Sequence, residues 1–145
     1  MQSLIIFKPD GVREDVMAYA RECIKQSGYA IDVDVLCPPD MQRIQAHLSP
    51  LRAKYSQEIY ERNVAYYASG PVRLWRVIGD AHICDALRGI VGSTEPVSAD
   101  SASIRGKFSS DSYVRAEQEK RAVHNLVHTS DADRVLDELS IWGLT

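Results

Sequence analysis

The hydrophobic period of this chain switches repeatedly between that of a strand and that of a helix, with proline or glycine at the switches. This alternation restricts it to helices layered on a sheet. Ser3 to Phe7 is a short apolar run stopped by Lys8-Pro9-Asp10-Gly11, and it reads as a buried strand closed by a turn. From Asp15 onward, Val16, Ala20, Cys23 and Ile24 recur at helical spacing, and Gly28 supplies a left-handed stop. Tyr29, Ile31, Val33 and Val35 then alternate with Ala30, Asp32 and Asp34, the period of a strand with one wet face, until Pro38-Pro39-Asp40. Met41 to Tyr67 carries helical patterning broken around Pro50, which predicts two or three short helices. Ser69-Gly70-Pro71 precedes a third strand at Val72, Leu74, Trp75, Val77 and Ile78, and Ala81 to Leu87 reads as a helix running toward Gly89 and Gly92.

Between Gly92 and Asn125 lies a long stretch with little core periodicity, apart from a short charged helix within Ser112 to Val123. A connection of that size in a compact domain is usually functional or a sign of a wrong assignment. Leu126 and Val127 form a last short strand. Ser130 or Asp131 then caps a helix with apolar positions at Val135, Leu136 and Leu139. The pattern predicts an α+β sandwich around a small antiparallel sheet, and 145 residues predict one domain over 1–145.

A formal net charge of -3 supplies no basic field of the kind that binds nucleic acid or anionic membrane, so any anionic ligand must be held locally. Cys23, Cys37 and Cys84 show no CxxC spacing and read as free thiols of a reducing compartment, which points to a cytoplasmic protein. Met1 to Phe7 meets Lys8 too early for a signal peptide, and no stretch approaches the ~20 apolar residues of a membrane span.

Polar residues placed where a core does not need them carry the functional signal. Lys8, Arg88, Thr94 and Arg105 form a cationic and hydroxyl set suited to a polyphosphate, although each alone reads as a solvated surface residue. No GxxxxGK[ST] loop is present, which excludes a P-loop cradle. Asn125-Leu126-Val127-His128-Thr129-Ser130-Asp131 puts His128 at a strand exit just before a helix, where an exposed nucleophile sits. A neutral imidazole attacks phosphorus, and a carboxylate on its other nitrogen fixes the tautomer; Glu138, in the following helix, is the candidate. An isolated strand-end histidine is more often merely hydrogen-bonded. His124 also permits an H-x3-H metal pair with His128, but no cysteine or acidic cluster adjoins it, so no protein-held metal is expected.

Taken together and in order, these pieces resemble the nucleoside diphosphate kinase family over almost the whole chain. Lys8-Pro9-Asp10-Gly11-Val12 is similar to its first-strand signature and Ser69-Gly70-Pro71-Val72 to its third-strand entry. Arg88 through Gly92, with Thr94 and Pro96, resembles its phosphate segment, and Ile104-Arg105-Gly106 the next element. Asn125 to Asp131 resembles its active-site signature, with His128 in the phosphorylated position. The resemblance implies a ferredoxin-like β-α-β-β-α-β sandwich, assembled into a hexamer or tetramer. It implies ping-pong transfer between nucleoside di- and triphosphates, with Mg2+ delivered by the nucleotide. Arg88, Thr94 and Arg105 would grip the phosphates, Lys8 and Asn125 would contact sugar hydroxyls and phosphate, and Ser130 and Glu138 would support His128.

The chain departs from the family in three places. A phosphate-holding tyrosine commonly follows a histidine like His47, but here Leu48 does, leaving Tyr55 as a substitute. The phenylalanine that stacks on the base falls on Ile59 with Tyr60 beside it; Tyr60 is the platform expected, with Ile59 and Tyr55 as alternatives. Extra residues lie between Phe108 and Asn125, those from Ser109 to Val123 expected as a loop excursion outside the core, and the chain stops at Thr145, short of the usual tail. Two rival functions are a non-catalytic nucleotide-binding module and a phosphocarrier fed by a partner protein, the latter needing no Arg88, Thr94 and Arg105 set.

Overall fold

The structure, a computed structural model, describes residues 1–145. Its elements are β1 (Gln2–Phe7), α1 (Glu14–Gln26), β2 (Ala30–Cys37), α2 (Met41–Lys54), α3 (Gln57–Ala68), β3 (Val72–Ile78), α4 (Ile83–Val91), α5 (Ile104–Phe108), α6 (Tyr113–Gln118), β4 (Val127–Thr129) and α7 (Val135–Ile141). The strands form one antiparallel sheet in the order β2-β3-β1-β4. With the α2–α3 hairpin, the 92–126 excursion and the C-terminal α7 set aside, the order is the β-α-β-β-α-β of a ferredoxin-like sandwich.

Central β1 explains the first apolar run: Leu4, Ile5, Ile6 and Phe7 are all 0% exposed because both faces of the sheet are covered. Leu4, Ile6, Val72 and Leu74 pack with Ile44, Leu48, Tyr67, Leu139 and Trp142 of the α2, α3 and α7 side. Ile5, Phe7, Trp75 and Val77 pack with Val16, Ala20, Ile24, Ile83 and Leu87 of α1 and α4. The period-two alternation of β1 and β3 thus feeds two cores. Edge strand β2 bulges between Ile31 and Val33 and leaves Val35 40% and Leu36 50% exposed, so its predicted apolar face is only partly covered.

Several expected boundaries move for local reasons. Helix α2 runs through Pro50 instead of breaking there, because Ser49 Oγ donates to the Ala46 carbonyl at 3.0 Å, the acceptor left without Pro50's missing N–H. Asp40 caps α2 by accepting from Arg43 N, and Ser56 caps α3 by accepting from Ile59 N. Helix α4 starts two residues later than expected and runs on to Val91. Leu136 is not a core position; it is 69% exposed, while Val135 and Leu139 on the same helix are buried. Strand β4 begins at Val127 rather than Leu126, since Leu126 sits at φ 70 in the left-handed region. Its carbonyl there accepts from Lys8 N at 2.8 Å and lies 2.1 Å from where a Cβ on Gly11 would be, so only glycine fits position 11.

The Ser109–Val123 segment is more than a solvated excursion. Asp111, 6% exposed, accepts from Arg121 Nη1 and Nη2 at 2.7 and 2.9 Å and from His124 N at 2.7 Å, while its carbonyl accepts from Val97 N at 3.1 Å. Ala116 and Ala122 are buried around this knot, and Arg62 of α3 reaches Glu117 of α6 at 2.7 Å. A buried ion pair, not an apolar stripe, anchors the segment, which is why periodicity failed to reveal it.

The Arg121 guanidinium holds the Asp111 carboxyl well below the usual carboxylate range, so its contribution is complete above about pH 4 and is lost as acid protonates it. Asp111→Asn should therefore lower unfolding free energy by about 1.5–3 kcal/mol at pH 7, read by urea denaturation, and by less at pH 3. Equal stability of variant and parent at pH 7 would remove the knot's structural role.

Candidate active site

His128 lies in β4 opposite Ile6 of β1, and helix α7 returns over the strand so that Glu138, in its first turn, faces the imidazole. His128 Nε2 is 2.9 Å from Glu138 Oε1, and Ser130 Oγ donates to the same oxygen at 2.5 Å. A carboxylate accepts only, so Nε2 carries a ring hydrogen, and in the neutral imidazole the lone pair lies on Nδ1. Burial alone would push the Glu138 carboxyl up, but the hydrogen bond and charge of His128, with His47 and Ser130, hold it at about 2. The imidazole is thus oriented, with an anion fixed behind it and one nucleophilic nitrogen free.

Behind this pair lies a residue that the sequence showed only as a landmark. His47 of α2 is 5% exposed, and its ring sits edge-on to His128 at 4.6 Å. Trp142 Nε1 donates to His47 Nδ1 at 3.2 Å, and His47 Nε2 lies 3.4 Å from the Tyr67 hydroxyl. Burial, reinforced by the His128 charge, pushes the His47 pKa down to about 3, so the ring is neutral at working pH. Its 3.6 Å approach to Glu138 Oε2 is therefore not an ion pair.

The sequence-read cations converge on the same cleft, of about 1260 Å3, which Lys8, Arg88, Thr94, Arg105, Asn125, His128 and Glu138 all line. Lys8 Nζ donates to Asn125 Oδ1 at 2.6 Å, and Asn125 Nδ2 donates to the Thr94 carbonyl at 3.1 Å. Arg105 donates to the carbonyls of Asn125, Gly92 and Val127 at 3.2, 3.0 and 2.6 Å, so it fastens the phosphate-segment loop to β4 and keeps two of its five N–H groups for a ligand. Arg88 is paired with Asp131. Burial, then the Arg105 charge, pushes the Lys8 pKa down to about 7. Tyr66, unflagged by the sequence, donates to Asp10 at 2.6 Å and accepts from the N–H groups of Asn125 and Leu126 at 3.1 and 3.2 Å, pinning the turn that enters β4.

Three expected placements change. Tyr60 is no platform: it is 4% exposed in the core, with Arg52 stacked 4.3 Å above its ring, because its position on α3 points at the sheet and away from the cleft. Ile59 and Tyr55 do not line the cleft either; Pro50, Leu51, Lys54 and Asn63 do. The overlooked signal was helical spacing, since His47, Leu51 and Lys54 follow i, i+4, i+7 along α2. Tyr55 consequently cannot replace the hydroxyl absent at Leu48. His124 stacks on Tyr66 at 5.1 Å, away from His128. His47, His128 and Glu138 do bring ligand atoms within 4.8 Å, but the Trp142, His128 and Ser130 hydrogen bonds already engage His47 Nδ1 and Glu138 Oε1.

The low His47 pKa has a stability consequence with a defined sign. Between pH 6.5 and about 3 the unfolded chain protonates His47 and the folded chain does not, so stability falls as pH falls. Glu138 adds to this only below about 4.5, leaving pH 6.5–4.5 as the window specific to His47. His47→Asn should flatten a slope approaching about 1.4 kcal/mol per pH unit in that window, measured by denaturant titration, and an unchanged slope would refute a neutral His47.

The profile of the family described as nucleoside diphosphate kinase matches residues 1–142. Nucleoside diphosphate kinase of Streptococcus uberis is 29% identical over 142 residues, covering 97% of this chain and 92% of the relative. That of Streptococcus agalactiae is also 29% identical, covering 97% and 96%. Among solved structures, the Borrelia burgdorferi enzyme, a transition-state mimic with bound vanadate and ADP, shares the fold at TM-score 0.91 with 23% identity over 98% of this chain and 86% of its own. An enzyme of Pyrobaculum aerophilum superposes at TM-score 0.79 with 26% identity, covering 97% and 94%. With a family match that runs from the first residue past Glu138 to Trp142, the chain belongs to the nucleoside diphosphate kinase family.

Proposed function

We propose that the chain transfers the γ-phosphoryl group of a nucleoside triphosphate to a nucleoside diphosphate through His128. The carrying observation is the free Nδ1 of an imidazole whose Nε2 is held by a buried carboxylate, inside a cleft lined by Lys8, Arg88 and Arg105. In the first half-reaction the Nδ1 lone pair attacks the γ-phosphorus, the bond to the bridging oxygen breaks, and the diphosphate leaves with that electron pair. In the second, an oxygen of another diphosphate attacks the phosphorus and the electron pair of the P–N bond returns to Nδ1. Glu138 balances the positive charge that the imidazole acquires while phosphorylated.

Arg88, Thr94 and Arg105 serve as phosphate contacts, and Lys8 with Asn125 as contacts to sugar hydroxyl and phosphate. Arg88 must first exchange Asp131 for phosphate oxygen. Mg2+ arrives as part of the substrate on the phosphate oxygens, which suits its reluctance to dehydrate fully. For the base we assign the α2–α3 wall of Leu51, Lys54 and Asn63 in place of Tyr60. The exposed β2 edge supports assembly of several copies, and we place the enzyme in the cytoplasm; no helix is long and apolar enough to cross a membrane.

Incubation with γ-labelled ATP and Mg2+, without acceptor, should place one acid-labile, base-stable phosphoryl group on each chain and release ADP. His128→Ala should abolish label and turnover, His124→Ala should leave both, and initial rates should give parallel double-reciprocal lines. Label persisting in His128→Ala would refute the mechanism.

Lys8 gives a second test. With its pKa at about 7 in the empty cleft it is largely neutral at pH 8, and polyphosphate beside it raises that value, so binding takes up a proton. ADP binding by calorimetry in buffers of different ionisation enthalpy should show uptake near pH 8 that vanishes by pH 6 and is absent in Lys8→Met; no buffer dependence at pH 8 would exclude it.

A further inference from the structure

We propose that Tyr67 is a further phosphoryl-binding residue of this cleft, its hydroxyl donating a hydrogen bond to an oxygen of the group in transit. The inference rests on the phosphotransfer reading and on a chain of hydrogen bonds whose polarity is set at its far end. An indole N–H only donates, so Trp142 Nε1 compels His47 Nδ1 to accept. A neutral imidazole carries one ring hydrogen, which must then lie on Nε2. That N–H points at the Tyr67 oxygen, 3.4 Å away, and makes it the acceptor. The tyrosine's own hydrogen is left without a protein partner.

The place where that hydrogen can go is defined by the cleft. Tyr67 lines it together with His47, His128, Lys8 and Arg105, and is the only tyrosine that does. Its ring is 5.5 Å from that of His47 and 5.3 Å beneath Lys8 Nζ. At 2% exposure it is not a freely hydrated surface phenol. Burial, followed by the nearby Glu138 charge, pushes its ionisation far above neutrality, so it stays a donor throughout the working range. A buried O–H in the same cleft as the attacking imidazole, with its acceptor side already occupied, is matched to an anionic oxygen. Leu48, one residue beyond His47, brings no hydroxyl to this wall.

A donor aimed at the transferring group acts more on the transition state than on bound nucleotide. Tyr67→Phe removes only the hydroxyl and retains the ring's packing. It should lower kcat by about tenfold or more while leaving KM for the nucleotide within about twofold. The same variant should bind ADP, Mg2+ and orthovanadate together more weakly by a similar factor, yet bind Mg2+–ADP alone as the parent does. A merely structural tyrosine would weaken both ligands alike or neither, and either result overturns the assignment. Trp142→Phe supplies an independent check: it frees His47 to turn its lone pair toward Tyr67, so adding Tyr67→Phe to it should cost little further kcat. A full additional tenfold loss would show that the Trp142–His47 chain does not set the donor. If the parent forms no vanadate complex, the phosphotransfer reading falls and this inference with it; if the parent forms it and Tyr67→Phe matches the parent, this inference alone falls.

Discussion

A carboxylate 5% exposed is the interaction around which this molecule is arranged. Stripping water from an anion is costly unless donors replace it, and Glu138 has His128 Nε2 and Ser130 Oγ on one oxygen. Those two partners lie at the end of β4, so satisfying the charge fixes where α7 docks. One turn further along, Trp142 is then brought against His47, which joins α2 to the same assembly. The side chain that orients the His128 imidazole thus also sets the relative position of the last strand, the last helix and the α2–α3 hairpin.

The opposite wall carries the converse arrangement. Lys8 and Arg105 are buried cations with no carboxylate bonded to either, held by Asn125 and by backbone carbonyls that solvate charge without cancelling it. Burial and mutual repulsion push the Lys8 pKa down and leave the pair short of negative charge. Such a site is destabilised when empty and relieved by a polyanion, the usual relation between stability and a functional cleft.

The sequence revealed what depends on local pattern or on residue chemistry. Strands β1 and β3 and helix α1 were legible because their apolar periods match their burial, and Lys8, Arg88, Thr94, Arg105, Asn125, His128 and Glu138 do meet in one cleft. What stayed hidden depends on long-range partners. Pro50 looked like a break because the Ser49 rescue of the Ala46 carbonyl is a matter of rotamer, not of composition. Tyr60 looked like the platform because a count along the chain locates a residue but not the face it turns outward. Asp111 and Tyr66 gave no signal, since a buried ion pair and a hydroxyl that bonds two backbone N–H groups have no periodicity.

The contact between Lys8 and Asn125 spans 117 positions of sequence, and the interlock of Gly11 with the Leu126 carbonyl is almost as distant. Both join the first strand to the entry of the last. During synthesis the β1, α1, β2 and β3 portions are complete long before residue 125 leaves the ribosome, and until then the end of β1 has no partner on that side. Contacts of such separation form late, because the closure entropy of the intervening chain opposes them. A chain ending before Glu138 therefore lacks both the residues that complete the cleft and Leu139 and Trp142, which cover one face of the sheet. A completed cleft thus reports that the whole of this fold, from Lys8 to Glu138, has closed.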